Sequence, residues 1–266
     1  MPPASCATMA CTRVTEALTC DAFLGGQLHL WQPAKGYRAG VDPVLLAATV
    51  PARAGESLLD IGCGAGAAAL CIGQRVPGVE LHGLELQPFY AGLARRNAKD
   101  NGISLTVHEG DVGDMPEILK ARRFNHVITN PPYFDRAIGK PANFEGRETA
   151  LGGADLSIWL EACARRLAPK GLFTLICRAE RLPELLRVLP SYLGSLELWP
   201  ITPRAGRSSE LVLLRAKHSG RARFRLHEGL RMHEGAQHEK DGESYAKSIV
   251  SVLRDGAALP FPESKG

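Results

Sequence analysis

The chain lacks the residue spacings that would make it a metalloprotein or a disulfide scaffold. Its seven cysteines are odd in number and contain no CxxC pair. That argues against paired disulfides and a zinc site, and it fits a reducing cytoplasm. His233-Glu234 and His238 do not have HExxH spacing, so no metal is expected. No apolar run approaches the roughly 20 residues that span a bilayer, so no membrane partner is expected. Residues 1–22 lack the positive start and apolar middle of a secretion signal and read as a disordered leader. Charge of one sign is scarce too. With 32 basic and 28 acidic residues the net charge is +4, so a polyanion would have to be met by local clusters.

What is present suits one sizeable α/β domain, expected over residues 23–218, with a basic C-terminal extension over 219–266 packed on it. Strand-like and helix-like segments alternate, the pattern of a doubly wound, mostly parallel sheet of seven strands. Ser57–Ile61, Val79–Leu86, Ile103–Glu109, Phe124–Thr129, Leu172–Cys177, Leu196–Trp199 and Leu211–Leu214 are the expected strands. Helices are expected at Gly66–Arg75, from Pro88 to Asp100, at Met115–Ala121, after Asp155 and near Arg181–Leu189. In the helix capped by Asp155, the residues Ile158, Trp159, Ala162, Cys163 and Leu167 form the expected buried stripe. Between Asp135 and Gly153 lies a long stretch with little periodicity, of the kind often used as a functional loop.

Two landmarks carry chemistry. The first is Leu58-Leu59-Asp60-Ile61-Gly62-Cys63-Gly64-Ala65-Gly66, a strand running into a glycine-rich turn. Gly62, Gly64 and Gly66 let backbone approach a ligand closely at a helix N-terminus. The spacing is GxGxG rather than the GxGxxG of dinucleotide binders. Asp60 is placed to hold an ammonium group, Glu85 to bridge ribose hydroxyls, and Asp111 to sit beside an adenine. One ligand carries all three groups, S-adenosylmethionine (SAM). Leu86 and Val112, next to these acids, and Cys63, a small packing residue in the turn, join the expected cofactor set. Acids at strand ends are common in doubly wound folds, so Glu85 alone is also compatible with an ordinary surface carboxylate. Trp31 and Phe23 either pack or cover the cofactor's edge.

The second landmark is Asn130-Pro131-Pro132-Tyr133 at the exit of an apolar strand. The Asn130 side-chain oxygen and the Pro131 carbonyl, on a backbone stiffened by Pro132, form a pair of acceptors. Tyr133 adds a ring on which a planar group can stack. The pair suits an NH2 group on an amide or aminopurine and makes Asn130 part of both the catalytic and the cofactor set. Together the landmarks point to methyl transfer onto nitrogen.

These residues resemble the class I methyltransferases that modify amino nitrogens. A narrower similarity lies in Tyr37-Arg38-Ala39-Gly40-Val41-Asp42-Pro43-Val44-Leu45-Leu46, in Arg147-Glu148-Thr149-Ala150 and around Gly242–Tyr245. These segments resemble the bacterial tRNA(Val) adenine-N6 methyltransferases of the methyltransferase small-domain group. The resemblance covers roughly Phe23 to Leu259. It implies a Rossmann-like fold, SAM as cofactor, and N6-methylation of the adenosine at tRNA position 37. One departure is Leu151, where relatives often carry a second arginine.

A tRNA substrate needs a basic surface. Arg215, Lys217, Arg221, Arg223 and Arg225 lie in a stretch without an acid. Arg221-Ala222-Arg223-Phe224-Arg225-Leu226 alternates, so an extended strip would carry arginines on one face and pack Ala, Phe and Leu on the domain. A charge-protected edge strand fits the same pattern. Arg204 and Arg207 form a second candidate patch, whereas Arg95-Arg96, Arg122-Arg123 and Arg165-Arg166 read as solvated positions. A monomer or weak homodimer is expected. The competing readings are a protein glutamine-N5 methyltransferase, a guanine-N2 RNA methyltransferase, a nicotinamide-dependent oxidoreductase and a non-catalytic RNA-binding relative. The glutamine enzymes usually carry a helical N-terminal domain larger than the segment ahead of Ser57.

Overall fold

A computed structural model describes residues 17–131, 155–235 and 244–263. Five parallel strands form its centre: β3 (Ser57–Ile61), β4 (Glu80–Glu85), β5 (Leu105–Glu109), β6 (Phe124–Thr129) and β7 (Leu167–Arg178). Two more, β8 (Leu193–Thr202) and β9 (Leu211–His218), complete the seven that the alternation predicts. The sheet runs β8-β9-β7-β6-β3-β4-β5, with β9 antiparallel to both of its neighbours. Two-residue strands β10 (Arg225–Leu226) and β11 (Leu230–Arg231) pair in parallel with β8.

Alternation of side chains across the pleat builds two cores. Leu58, Ile128 and Ile176 point to one face, where they meet α1 (Asp42–Thr49) and α2 (Ala67–Arg75). Leu59, Val127 and Leu175 point to the other, against α5 (Leu156–Arg165) and α6 (Leu182–Val188). Helix α3 (Pro88–Asp100) and the single turn α4 (Glu117–Lys120) fill the crossovers flanking β5. Asp155 caps α5 by accepting from the Ser157 N–H. The buried face of α5 is Leu156, Leu160, Cys163 and Ala164. Ile158, expected in the apolar stripe, is exposed.

The leader expectation stops too late. Leu18–Phe23 is strand β1, paired antiparallel with β2 (Leu28–Pro33), while residues 1–16 lie outside the described residues. The hairpin is tied to α3 by two asparagines one turn apart. Asn97 Oδ1 accepts from Trp31 N at 2.7 Å and its Nδ2 donates to Trp31 O at 3.1 Å. Asn101 makes the same pair with His29, at 2.9 and 2.8 Å. Each side-chain amide thus takes the place of a neighbouring strand's peptide, so this edge of β2 is satisfied without another strand.

The C-terminal extension packs on the domain through α7 (Lys247–Asp255), where Ile249 and Val252 are fully buried. Burial of these two side chains is worth about 2 kcal/mol each. Leu259 N donates to Ala48 O at 2.8 Å, and the Arg215 guanidinium lies 4.3 Å from the Phe261 ring centre. Among the described residues no helix is long and apolar enough to cross a membrane.

Candidate active site

The ends of β6, β3, β4 and β5 lie side by side, because those four strands are consecutive in the sheet. They present Asn130, Asp60, Glu85 and Asp111 in that spatial order, at the carboxyl edge where open α/β sheets bind ligands. With about 4.8 Å between neighbouring strands, this row is long enough for an extended nucleoside.

The glycine turn forms the middle of the row. Gly62 and Cys63 N–H both donate to Leu84 O, at 2.8 and 3.1 Å, which pins the turn to the end of β4. Gly62 has φ +75°, and a Cβ there would lie 3.0 Å from Trp159 Cζ2. Both its backbone and its space therefore demand glycine. Cys63 Sγ fills the space over Gly83, where a Cβ would stand 2.6 Å away. Burial pushes its thiol well above the ordinary range, so Cys63 packs and does not act as a nucleophile.

Glu85 is buried, and both its oxygens are engaged: Gly64 N donates to Oε2 at 2.8 Å and Gln87 N to Oε1 at 2.9 Å. Desolvation still raises its pKa. Asp60 is 3% exposed; burial lifts its pKa to about 7, opposed by the Ala69 backbone N–H and assisted by the charge of Glu85. Among the described residues neither acid is ion-paired with Lys or Arg. Two desolvated carboxylates this close favour a cation between strand ends.

Asp60, Gly62, Cys63 and Asn130 line one cleft together with Tyr37 and Tyr90. Asn130 Oδ1 is buried there and has no hydrogen-bond partner among the described residues, an acceptor open to a further donor. Asp111 is half-buried and its Oδ1 accepts from Gly113 N at 2.6 Å; Val112 is buried, and Leu86 is 38% exposed. Pro132 and Tyr133, the stretch from Asp135 to Gly153 and Arg147-Glu148-Thr149-Ala150 lie outside the described residues.

Three participants escaped the sequence reading. Tyr37 approaches Gly64, and its carbonyl accepts from Tyr90 Oη at 3.1 Å, so the segment before α1 folds over the turn. Asn97 joins the site through a 2.9 Å bond to Ala65 O; an asparagine facing inward on a helix was the available signal. Trp159 looked like core but stands over Gly62. Trp31 packs beside Ala65, Tyr90 and Leu93 at the back of the turn.

The arginine strip differs from expectation. Arg225 and Leu226 do extend, but Phe224 and Leu226 are 54% and 66% exposed, so the apolar side does not pack on the domain. The reason is position: the strip is added outside β8, the sheet's last long strand, and among the described residues nothing covers it. It also runs parallel to β8, which places Arg221 and Arg223 toward the end of the sheet away from Asn130. Arg215 is committed to Glu197 at 2.7 Å. Arg204 donates to Glu234 O and Ser244 Oγ, while Arg207 in the same loop is exposed. Arg166, expected to be solvated, is buried and donates to Leu119 O at 2.7 Å. Among the described residues no group of side chains could hold a metal ion.

A doubly wound sheet with this order, a glycine turn, a row of acids and an orphan acceptor beside it define a class I SAM-dependent methyltransferase. Residues 39–142 match the Methyltransferase small domain family. A tRNA1(Val) (adenine(37)-N6)-methyltransferase of Aeromonas hydrophila is 31% identical over 201 residues, covering 73% of this chain and 83% of that protein. One of the same name from Porphyromonas gingivalis is 30% identical over 65% of this chain and 71% of its own length. The chain belongs to this methyltransferase family. Among solved structures, a predicted O-methyltransferase from Agrobacterium tumefaciens superposes with TM-score 0.68 at 27% identity, covering 83% of this chain and 99% of that one. The Thermus thermophilus 16S rRNA N2 G1207 methyltransferase shares the fold, with TM-score 0.51, 19% identity and coverage of 76% of this chain and 50% of that one.

Proposed function

We propose that the protein methylates N6 of an adenosine in tRNA, the one at position 37, 3′ to the anticodon. The observation that carries this reading is Asn130 Oδ1, a buried acceptor without a partner among the described residues, in the same cleft as Asp60 and Gly62. Asp60, in that cleft, would meet the ammonium of SAM, while Glu85, Leu86, Asp111 and Val112, on the neighbouring strand ends β4 and β5, would meet its ribose and adenine. When bound, SAM supplies an electrophilic methyl group.

The chain's own task is to present a poor nucleophile. The adenine amino lone pair is delocalised into the ring. Hydrogen bonds from its two N–H groups to Asn130 Oδ1 and the Pro131 carbonyl favour a pyramidal nitrogen whose lone pair is free. Acceptors fixed in a desolvated corner also stabilise the positive charge that develops there. Tyr133 would stack on the base and hold its plane. Unstacking the base costs a few kcal/mol, least in a loop that is already open.

Phosphate contacts fall to exposed arginines. Arg207 lies in the loop at the β8 exit, on the active-site side of the sheet. Arg221, Arg223 and Arg225 with the exposed Phe224 would hold a more distant part of the same RNA by charge and stacking. Arg204 is assigned to fastening that loop. A cytoplasmic enzyme acting as a monomer or weak homodimer is consistent with this substrate. The test is incubation with labelled SAM and, separately, total tRNA and a release-factor protein. N6-methyladenosine in tRNA is the expected product. Label on a glutamine amide or on guanine N2 would replace this reading with another amino acceptor.

A further inference from the structure

We infer that Trp159 and Thr129 form a positioning pair that sets Asn130 against the cofactor turn. Thr129 is fully buried and is the last residue of β6, directly before Asn130. Its hydroxyl donates to Ile61 O at 2.7 Å and accepts from Trp159 Nε1 at 3.0 Å. Ile61 is the last residue of β3, directly before Gly62, and is Thr129's partner in the sheet. One oxygen therefore joins the final residues of both strands to helix α5.

The joint stands where the sheet can no longer set the spacing. Pro131 has no N–H, so the ladder cannot continue through it. Beyond Thr129 the path of Asn130 depends on what holds Thr129. The Trp159 ring simultaneously covers Gly62, close enough that a Cβ there would meet Cζ2 at 3.0 Å and Cη2 at 3.1 Å. The indole thus packs the Cζ2–Cη2 side of its ring against the glycine turn and holds the exit of β6 with its N–H. Neither residue offers a polar group to a ligand through this network, because donor and acceptor are used within it. Their action passes through Asn130 and Gly62.

The inference rests on methyl transfer at the Asn130 corner, and its experiment has one readout independent of the acceptor. Thr129→Val keeps the shape and removes the hydroxyl. Trp159→Phe keeps an aromatic side chain on α5 and removes the donor. Each is expected to lower kcat about tenfold to a hundredfold, since small misplacements of a reacting group have effects of that size. SAM dissociation should change less than threefold. The double variant should fall no further than the worse single one, because both act through one oxygen. Thr129→Ser, which restores the hydroxyl, should recover most of the turnover.

In nitrogen-15 NMR spectra, Thr129→Val should shift the Trp159 indole signal, identified by its loss in Trp159→Phe. It should also shift the Asn130 side-chain NH2 pair, identified by its loss in Asn130→Ala. Ser57→Ala, at the opposite end of β3, should move neither. Asn130 signals unmoved by Thr129→Val would overturn the inference. So would additive losses, or losses of kcat and SAM affinity in equal measure. Absence of methyl transfer to tRNA by the wild-type protein would instead count against the proposed substrate, with the spectra still deciding the positioning role.

Discussion

Lowering the pH from 8 to 5.5 should weaken SAM binding roughly thirtyfold, through Asp60. Burial among apolar side chains, with Glu85 nearby, raises its pKa from 3.8 to about 7. The ionised form is the one that holds an ammonium group. At pH 8 about nine-tenths of the protein carries it, and at pH 5.5 about 3%, which gives the ratio. Stability of the ligand-free protein should change in the opposite direction. The unfolded chain ionises Asp60 near 3.8 and the folded one near 7, so the unfolded state binds fewer protons between these values. Stability is then greatest below pH 4 on this account and is lost as pH rises toward 7, on the order of 4 kcal/mol in total. Glu85, also raised by burial, adds in the same direction.

Calorimetry in two buffers of different ionisation enthalpy separates these effects. Near pH 6 the wild-type protein should release close to one proton on binding SAM. Asp60→Asn should bind more weakly at pH 8, match the wild type near pH 5.5, and melt higher than it at pH 8 without ligand. A wild-type affinity that is flat between pH 5.5 and 8, or an unchanged profile in Asp60→Asn, would refute the placement of a cation at this carboxylate.

Further outcomes can be checked with standard assays. Asn130→Ala should lower turnover about a hundredfold or more while leaving SAM affinity intact, since it removes an acceptor used by the acceptor base; single-turnover methylation measures it. Gly62→Ala should destabilise the protein by about 1–2 kcal/mol from its left-handed backbone alone, displace the Trp159 ring and weaken SAM binding, all visible in a thermal melt with and without ligand. Raising salt from 50 to 200 mM should weaken tRNA binding, and Arg221→Ala, Arg223→Ala and Arg225→Ala together should flatten that dependence by up to about three phosphate contacts. Unchanged salt slopes in a filter-binding titration would remove the strip from the RNA interface.

How much of this was legible in the sequence varies with the range of the interaction. The seven main strands were readable, because each is an apolar run bounded by its own turn residues. β7 and β8 extend further than Leu172–Cys177 and Leu196–Trp199 suggest, since Leu167 at the start of β7 pairs with Phe124 of β6 and both ends of β8 pair with β9, contacts that no local preference announces. The hairpin of β1 and β2 was invisible for the same reason: its edge is satisfied by two asparagine side chains some 70 positions away in sequence, His29 to Asn101 being separated by 72. Arg166 and Phe224 exchanged their expected places. Arg166 is buried because a carbonyl of α4 meets its guanidinium, and Phe224 is exposed because its strand sits outside the sheet's edge.

The chain by itself determined the class of chemistry. Glycines permit a turn, acids at strand ends favour cationic and hydroxyl ligands, and Asn-Pro supplies two acceptors with no competing N–H. These are properties of residue types and short spacings, and they survive without knowledge of distant contacts. Tertiary structure decided how those groups meet. It put β6 beside β3, brought Asn130 into the cleft of Asp60 with its oxygen unpartnered among the described residues, and laid Tyr37 and Trp159 over the glycine turn. Desolvation, which moves the Asp60 pKa, exists only once separate segments close around a group, so no local pattern could have announced it.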